Sequence, residues 1–274
     1  MRAIDFRARP NTAEYMKMYT GPANARLWQR FGYPEPPVVS LAEFVRALAA
    51  NDIAHAVFTG RQSVSGGEIV RGVSNDYVAR CAAESGGRIV GFAGIDPTSG
   101  VAALREMERC VRQLGLRGVS LDPHTARSLP SDRGLYPVYE MAAELRIPVT
   151  FTMGPLVGRY AEPSAVDQVA EDFPGLTLVC SHGCWPQVTE FIALAYRRDN
   201  VYLEASIYEF LPGAEPFLDA ANTIIQDRVV YASAFPFNPL ETLSRFTRLP
   251  FSAAALDKLV YGNASRVLGL DGGA

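Results

Sequence analysis

The run Leu176-Thr177-Leu178-Val179-Cys180, the segment 187–196 and the run Val201-Tyr202-Leu203-Glu204 decide the fold. Each short apolar run predicts a buried strand, and the longer segment between them has the apolar spacing of an amphipathic helix. Two strands that are connected through a helix normally lie parallel in one sheet. This part of the chain therefore predicts a strand–helix–strand unit.

The same unit recurs along all 274 residues. Apolar runs predict eight strands, at 3–6, 54–58, 89–94, 118–121, 148–151, 176–180, 201–204 and 229–232. Helical patterns follow them, at 41–50, 75–83, 101–114, 135–145, 164–172, 187–196, 217–225 and 253–268. Eight such units predict an α/β fold, a single (β/α)8 TIM barrel over residues 1–274. A doubly wound open sheet is the alternative.

The segment 11–39 is the one long stretch without a regular pattern, and it is rich in Tyr, Pro and Arg. It connects the first strand to the first helix, and in a barrel this connection lies at the mouth where catalysis occurs. We expect a lid over the site, because long loops at this face often cover it. A packed surface loop without a role in catalysis is the alternative.

Composition limits the class of partner. The net charge of −3 and the scattered arginines do not favour binding to nucleic acid. No apolar stretch approaches the roughly 20 residues of a membrane span, and the N-terminus does not read as a secretory signal. Four cysteines provide no disulfide framework in a chain of this size. We expect a cytoplasmic protein, a homo-oligomer, with a small molecule as its partner.

The opening Ala3-Ile4-Asp5-Phe6-Arg7-Ala8-Arg9-Pro10 carries two arginines. The period of two in a strand predicts Asp5, Arg7 and Arg9 on one face. A guanidinium is always protonated near neutral pH and offers only donors, so this pair is suited to an anion and unsuited to a metal cation. Neutralisation of both arginines by internal carboxylates is the alternative.

Other polar residues follow predicted strands and should also reach the mouth of the barrel. His182 follows the sixth strand, and an imidazole there is suited to general acid or base catalysis. Asp122 and His124 follow the fourth strand, Arg61 follows the second, and Glu204 ends the seventh. We predict His182 and Asp122 as catalytic residues. Contact with the substrate is predicted for Arg7, Arg9, Arg61, His124 and Glu204.

Several segments together resemble the second amidohydrolase-related family, which includes decarboxylases and a lactonase. The resemblance covers nearly the whole chain and rests on the opening 4–10 and on 118–123, 148–154, 178–183, 229–236 and 262–270. The family pattern places metal ligands at four positions, two on strand one and one each after strands five and eight. This chain has Arg7, Arg9, Thr152 and Ala234 there. The resemblance implies that His182 is the family's histidine on strand six, which acts as a proton-transfer group or as a polariser beside the metal.

None of those four side chains is a competent zinc ligand in this setting, so the sequence predicts neither a metal nor another cofactor. The main hypothesis is a metal-independent enzyme that acts on a small carboxylated substrate held by an arginine anion clamp. It would hydrolyse an activated ester or lactone, or carry out another general acid/base reaction with His182. A decarboxylase or other lyase of the same superfamily is the alternative among enzymes. A barrel that binds a ligand without turnover is the alternative from another class.

Overall fold

A computed structural model describes residues 2–270. Seven parallel strands form one curled sheet, in the order β1-β2-β5-β6-β7-β8-β9. These strands are β1 (Ala3–Asp5), β2 (Ile53–Thr59), β5 (Ile89–Gly94), β6 (Val119–Leu121), β7 (Val149–Thr152), β8 (Leu178–Ser181) and β9 (Val201–Glu204). Each coincides with a predicted apolar run to within two residues at either end, and the architecture is the predicted TIM barrel.

The eighth predicted strand, 229–232, is not a regular strand. It makes one isolated parallel bridge, between Leu203 and Val229. It nevertheless closes the barrel, because Val230 N donates to Leu203 O at 2.9 Å and Phe6 N donates to Tyr231 O at 2.9 Å. The ladder stops early because Tyr231 N donates to Leu259 O at 2.9 Å and Ser233 N donates to the Asp5 carboxylate at 3.0 Å, so neither bonds the backbone of β1.

The prediction that Asp5, Arg7 and Arg9 share one face is wrong. Strand β1 ends at Asp5 and the chain turns at Phe6 and Arg7. Asp5 Oδ1 accepts the backbone N–H groups of Arg7 (3.1 Å) and Ser233 (3.0 Å). The turn, and not the period of the strand, brings both arginine side chains to the mouth of the barrel.

Helices cover the outside of the sheet. The larger ones are α3 (Leu41–Ala50), α4 (Asn75–Glu84), α5 (Val101–Arg112), α7 (Tyr136–Leu145), α8 (Pro163–Asp172), α9 (Val188–Arg197) and α10 (Glu215–Ala221). The shorter ones are α11 (Thr242–Phe246), α12 (Ala253–Asp257) and α13 (Asn263–Leu268). The short helix α6 (Pro123–Ala126) lies at the mouth of the barrel, where its His124 lines a cavity. The helix predicted at 217–225 ends early, at Ala221, and the one at 253–268 is interrupted by a π-helical turn at Lys258–Gly262.

Two insertions at the mouth were not predicted as regular structure. The segment 11–39 contains two helices, α1 (Ala13–Met16) and α2 (Ala25–Phe31). An antiparallel hairpin of β3 (Gln62–Ser65) and β4 (Glu68–Gly72) follows β2. Its turn is Gly66-Gly67, with φ of 59° and 82°, and glycine tolerates such positive φ angles without strain.

The core has two layers, as the alternation of side chains along the strands requires. Inside the barrel, Ile4 and Phe6 pack with Val57, Phe92 and Val179. Between the sheet and the helices lies a larger apolar cluster. The polar site begins where the inner apolar layer ends. Within residues 2–270, no helix combines the length and the apolar composition that a bilayer span requires.

Candidate active site

Arg7 and Arg9 are buried at the carboxyl ends of the strands, and within residues 2–270 the acceptors of their side chains are neutral oxygens. Arg7 donates to Ser181 Oγ at 2.5 Å and to Thr152 Oγ1 at 3.3 Å. Arg9 Nε donates to Thr59 Oγ1 at 3.1 Å and to the Thr59 carbonyl at 3.4 Å. Among residues 2–270, no salt bridge joins either arginine to a carboxylate. Direct neutralisation, the alternative raised by the sequence, is not found for this pair.

The electrostatics of this pair favour an anion. Burial, followed by the positive charge of Arg9, lowers the pKa of Arg7 to about 9. Arg7 Nε is buried and has no hydrogen-bond partner within the described chain. A bound carboxylate or phenolate would satisfy such a donor and offset the repulsion between the two cations.

Arg61 differs, because it is already paired. It donates to Asp122 Oδ1 at 2.9 Å, and its Nε contacts the other carboxylate oxygen. Burial alone would raise the pKa of Asp122, but the charge of Arg61, followed by that of His124 and a hydrogen bond from Thr152, together hold the pKa below the usual value. Arg61 Nη1 also donates to the hydroxyl of Tyr19 at 3.2 Å. Asp122 therefore neutralises Arg61 and fixes the position of its guanidinium.

His182 follows β8 with a φ of 64°, in the left-handed region that a residue with a side chain rarely adopts. Its Nδ1 lies 3.2 Å from the Ser206 carbonyl oxygen and 2.9 Å from Ser206 Oγ. The carbonyl only accepts and the hydroxyl oxygen can accept, so the tautomer with its hydrogen on Nδ1 suits both contacts and leaves the Nε2 lone pair free. Burial and then the Arg7 charge lower the pKa of His182 well below its usual value. The imidazole is therefore neutral and suited to act as a base.

Glu204 lies beneath these groups and is fully buried. Its Oε2 accepts the Ser181 hydroxyl hydrogen and the backbone N–H of His182, the latter at 3.2 Å. Because Ser181 also accepts from Arg7, one carboxylate holds the positions of both Arg7 and His182. Glu204 is thus placed as a support behind the site and not in its wall.

The arginines and His182 line one cavity of about 160 Å³, called the inner cavity below. Its polar wall consists of Arg7, Arg9, Arg61, Arg71, Tyr19, His124, Thr152 and His182. Its apolar wall consists of Leu27, Phe31, Met153, Leu156, Val157, Ile207, Tyr208 and Phe237. An outer cavity of about 590 Å³ shares four of these residues, so the inner cavity opens towards it.

The structure brings together five of the seven residues predicted for the site. Arg7, Arg9, Arg61, His124 and His182 face the inner cavity, and their positions after strands predicted this. Asp122 and Glu204 stand behind that wall, bound to Arg61 and to Ser181.

Sequence reasoning missed Tyr19 and Arg71. Tyr19 lies in the Tyr-rich segment 11–39, whose composition and place at the mouth were the available signal. Arg71 lies in β4 of the hairpin, which was not predicted. Its signal was the pair Gly66-Gly67, a turn sequence between two short runs.

The residues present do not fit a metal ion. Arg7 and Thr152 are in contact, so two of the four family positions do converge. They supply a hydrogen-bond donor and a hydroxyl where a cation needs imidazole or carboxylate, and Ala234 supplies no side-chain ligand. Over the described part of the chain, no three His, Cys, Asp or Glu side chains are grouped to hold a metal.

Comparisons with known proteins agree with this architecture. A curated relative, gamma-resorcylate decarboxylase of Polaromonas sp., is 23% identical in an alignment of 248 positions that covers 72% of this chain and 76% of the relative. Among solved structures, an uncharacterised TIM-barrel protein from Bordetella bronchiseptica is 34% identical, with a TM-score of 0.84 over 99% of this chain and 100% of that one.

A second solved structure, 2,6-dihydroxybenzoate decarboxylase from Rhizobium, is 16% identical, with a TM-score of 0.72 over 99% of this chain and 100% of that one. At this identity the likeness concerns the fold. The family profile described as amidohydrolase matches residues 13–270. The chain therefore belongs to the amidohydrolase family that its sequence resembles.

Proposed function

We propose that the protein is a decarboxylase, a carbon–carbon lyase, that acts on a small carboxylated aromatic or unsaturated substrate. The observation that carries this proposal is the pair Arg7 and Arg9, which face the inner cavity without a carboxylate partner in the described chain. The sequence favoured hydrolysis of an ester or lactone. Similarity to a protein named gamma-resorcylate decarboxylase supports loss of carbon dioxide instead.

The arginines would hold the oxygen that collects negative charge, and not the carboxylate that leaves. Tight binding of the leaving carboxylate would stabilise the ground state more than the transition state. A phenolic or enolic oxygen gains charge as the reaction proceeds, and guanidiniums that are already oriented stabilise that charge. The leaving carboxylate would then face apolar residues such as Met153, Leu156 and Val157. Poor solvation there favours its conversion to neutral carbon dioxide.

His182 would take the proton from that phenolic or enolic hydroxyl. Its Nδ1 hydrogen is engaged by Ser206, so only Nε2 is available to the substrate. Asp122 and Glu204, predicted as catalytic and as substrate-binding, would act through Arg61 and Arg7 without touching the substrate. His124 would contact the substrate's edge from the same wall.

The test is turnover of 2,6-dihydroxybenzoate and related hydroxybenzoates and carboxylated enols, followed by release of carbon dioxide. We expect turnover by the wild type and a loss of kcat/KM of at least about 100-fold in Arg7→Gln, because a charged hydrogen bond and transition-state stabilisation are both lost. The matched control is Arg112→Gln, whose side chain is 65% exposed. Absence of turnover across the panel, or equal activity in Arg7→Gln, would contradict the proposal.

Lactone hydrolysis is the second candidate, and the unprotonated Nε2 of His182 favours it, because this atom could take a proton from an attacking water. The product distinguishes the two reactions. A ring-opened hydroxy acid without carbon dioxide would establish hydrolysis. Tight binding of carboxylates without turnover, unchanged in His182→Ala, would identify a binding barrel instead.

A further inference from the structure

The hydroxyl of Tyr19 has no role in the chemistry described so far, although it lies in the wall of the inner cavity. Tyr19 is only 4% exposed. Its ring packs edge-on against Phe237, with 4.9 Å between the ring centroids, and packs against Tyr15, with 5.5 Å between the centroids. Trp28 Nε1 donates to its backbone carbonyl at 3.0 Å. The phenol is therefore fixed in place at the site.

The hydrogen bond from Arg61 determines what this hydroxyl can do. Arg61 Nη1 donates to the Tyr19 oxygen at 3.2 Å, because a guanidinium has no acceptor. The phenol hydrogen is consequently free to point at another acceptor. Decarboxylation requires a proton for the carbon that loses carbon dioxide, and a neutral His182 whose Nδ1 hydrogen is engaged by Ser206 does not supply it.

The surroundings of Tyr19 also stabilise the phenolate that donation would leave. Burial raises the pKa of Tyr19, but the charges of Arg61 and then Arg9, with a hydrogen bond that the Tyr15 hydroxyl donates to the Tyr19 oxygen, together outweigh burial and lower the pKa below its usual value of 10. Tyr208 is the other tyrosine in the wall. Burial raises the pKa of Tyr208 to about 12, which makes it the weaker acid.

We propose that Tyr19 is the general acid that protonates the carbon from which carbon dioxide leaves. This inference rests on the proposed decarboxylase function. His182 Nε2 takes the substrate's hydroxyl proton, and the Tyr19 O–H proton is transferred to the ring carbon. The carbon–carbon bond to the carboxylate then breaks, and its electron pair restores the ring as carbon dioxide departs. His182 returns its proton to the phenolic oxygen, and Tyr19 regains one from solvent, so one proton is consumed per carbon dioxide released.

The test uses Tyr19→Phe, which keeps the ring packing and removes only the hydroxyl. With 2,6-dihydroxybenzoate we expect kcat to fall by at least about 100-fold while KM changes little, as for loss of a general acid. In wild type, activity should fall on the alkaline side as pH passes through the lowered pKa of Tyr19. Fluorotyrosine at position 19, a stronger acid, should move that limb to lower pH, a shift that a structural role would not produce.

A second readout follows proton transfer without decarboxylation. Wild type should exchange deuterium from heavy water into resorcinol, the product of 2,6-dihydroxybenzoate, and Tyr19→Phe should not. Tyr208→Phe should lose less activity than Tyr19→Phe and keep the alkaline limb, and the exposed Tyr196→Phe is the neutral control. Full turnover or exchange in Tyr19→Phe would overturn the role of Tyr19 alone. A wild type that neither decarboxylates nor exchanges would overturn the proposed function and this inference with it.

Discussion

The imidazole of His182 is held by two contacts with Ser206 and surrounded by cations, and this defines its pH dependence. Burial and then Arg7 lower its pKa well below the usual value of 6.5, and the neutral form is the base. Activity should therefore persist at pH 6.5 and fall only at lower pH, as His182 becomes protonated. A profile of kcat/KM between about pH 4 and pH 9 measures this.

The matching variant is His182→Gln, which keeps a polar side chain but no base. Its kcat should be lower by about 100-fold or more, and the acidic limb should disappear from the residual rate. The thermal midpoint should be measured alongside to show that the variant is folded. An acidic limb at or above pH 6.5, or an active His182→Gln, would contradict the assigned role.

A second prediction at the scale of single residues concerns Glu209 and the pH dependence of the free energy of unfolding. It is 3% exposed, and its Oε2 has no hydrogen-bond partner among residues 2–270. Burial raises its pKa to about 8 from 4.5. Between these values the unfolded chain is ionised while the folded protein stays protonated, so the free energy of unfolding falls as pH rises.

Glu209→Gln removes this titration and keeps the shape of the side chain. We expect its thermal midpoint to exceed that of wild type by a few degrees at about pH 8 and to match it near pH 4.5, since about 1 kcal/mol moves the midpoint by about 2–4 °C in a domain of this size. Glu68→Gln, at an exposed position of β4, is the control that should leave the pH dependence unchanged. The same gain at both pH values would show that ionisation is not the cause.

The strand ends were sufficient to predict five wall residues from the sequence, because parallel strands all deliver their carboxyl ends to one face. The partners of those residues were not predictable. Whether Asp122 pairs with Arg61 or with Arg7 depends on how far each side chain extends across the neighbouring strands. In the structure Asp122 pairs with Arg61. Glu204 ends a strand like the others, yet hydrogen bonds from Ser181 and His182 draw it below the cavity.

At the scale of single elements, α3 begins with a reciprocal cap. Glu43 N donates to Ser40 Oγ at 3.3 Å, and the Glu43 carboxylate accepts the Ser40 backbone N–H at 2.8 Å. Ser40→Ala should lower the free energy of unfolding by about 1 kcal/mol and leave kcat unchanged, because the cap satisfies backbone donors and Ser40 lines neither cavity. Urea unfolding measures the change. Ser65→Ala, at an exposed position of the hairpin, should have no effect, and an equal loss there would contradict the cap's contribution.

The bounds of an element were predictable where its apolar residues keep one regular spacing from the first residue of the element to the last. Strands β5 and β9 and helix α3 have the predicted bounds. The hairpin was missed because β3 and β4 are short, and β4 is largely exposed. The final helix was predicted as continuous, but a π-helical turn at Lys258–Gly262 interrupts it. Such a turn shifts the hydrogen-bond register and leaves the apolar pattern of the sequence unchanged, so the pattern does not reveal it.

At the scale of the whole molecule, the same contacts that close the barrel also position the arginines of the site. The Asp5 carboxylate accepts N–H groups from Arg7 after β1 and from Ser233 after the eighth segment. The first and last parts of the chain thus meet beside the arginine pair. The sequence predicted eight units but not this junction, because a single buried carboxylate replaces the ladder of a regular eighth strand.

The assembled site should not recruit a divalent metal. Two buried guanidiniums repel a cation strongly at short range, and Thr152 and Ala234 add no charged ligand. We expect elemental analysis of the purified protein to find substoichiometric zinc and manganese, and turnover to be unchanged by a chelator.

The double variant Arg7→His with Arg9→His should still bind zinc weakly, because two of the four family positions remain without a ligand. Activity that depends on added zinc or manganese would show that a metal binds in spite of the two arginines, and would contradict an anion site at this position.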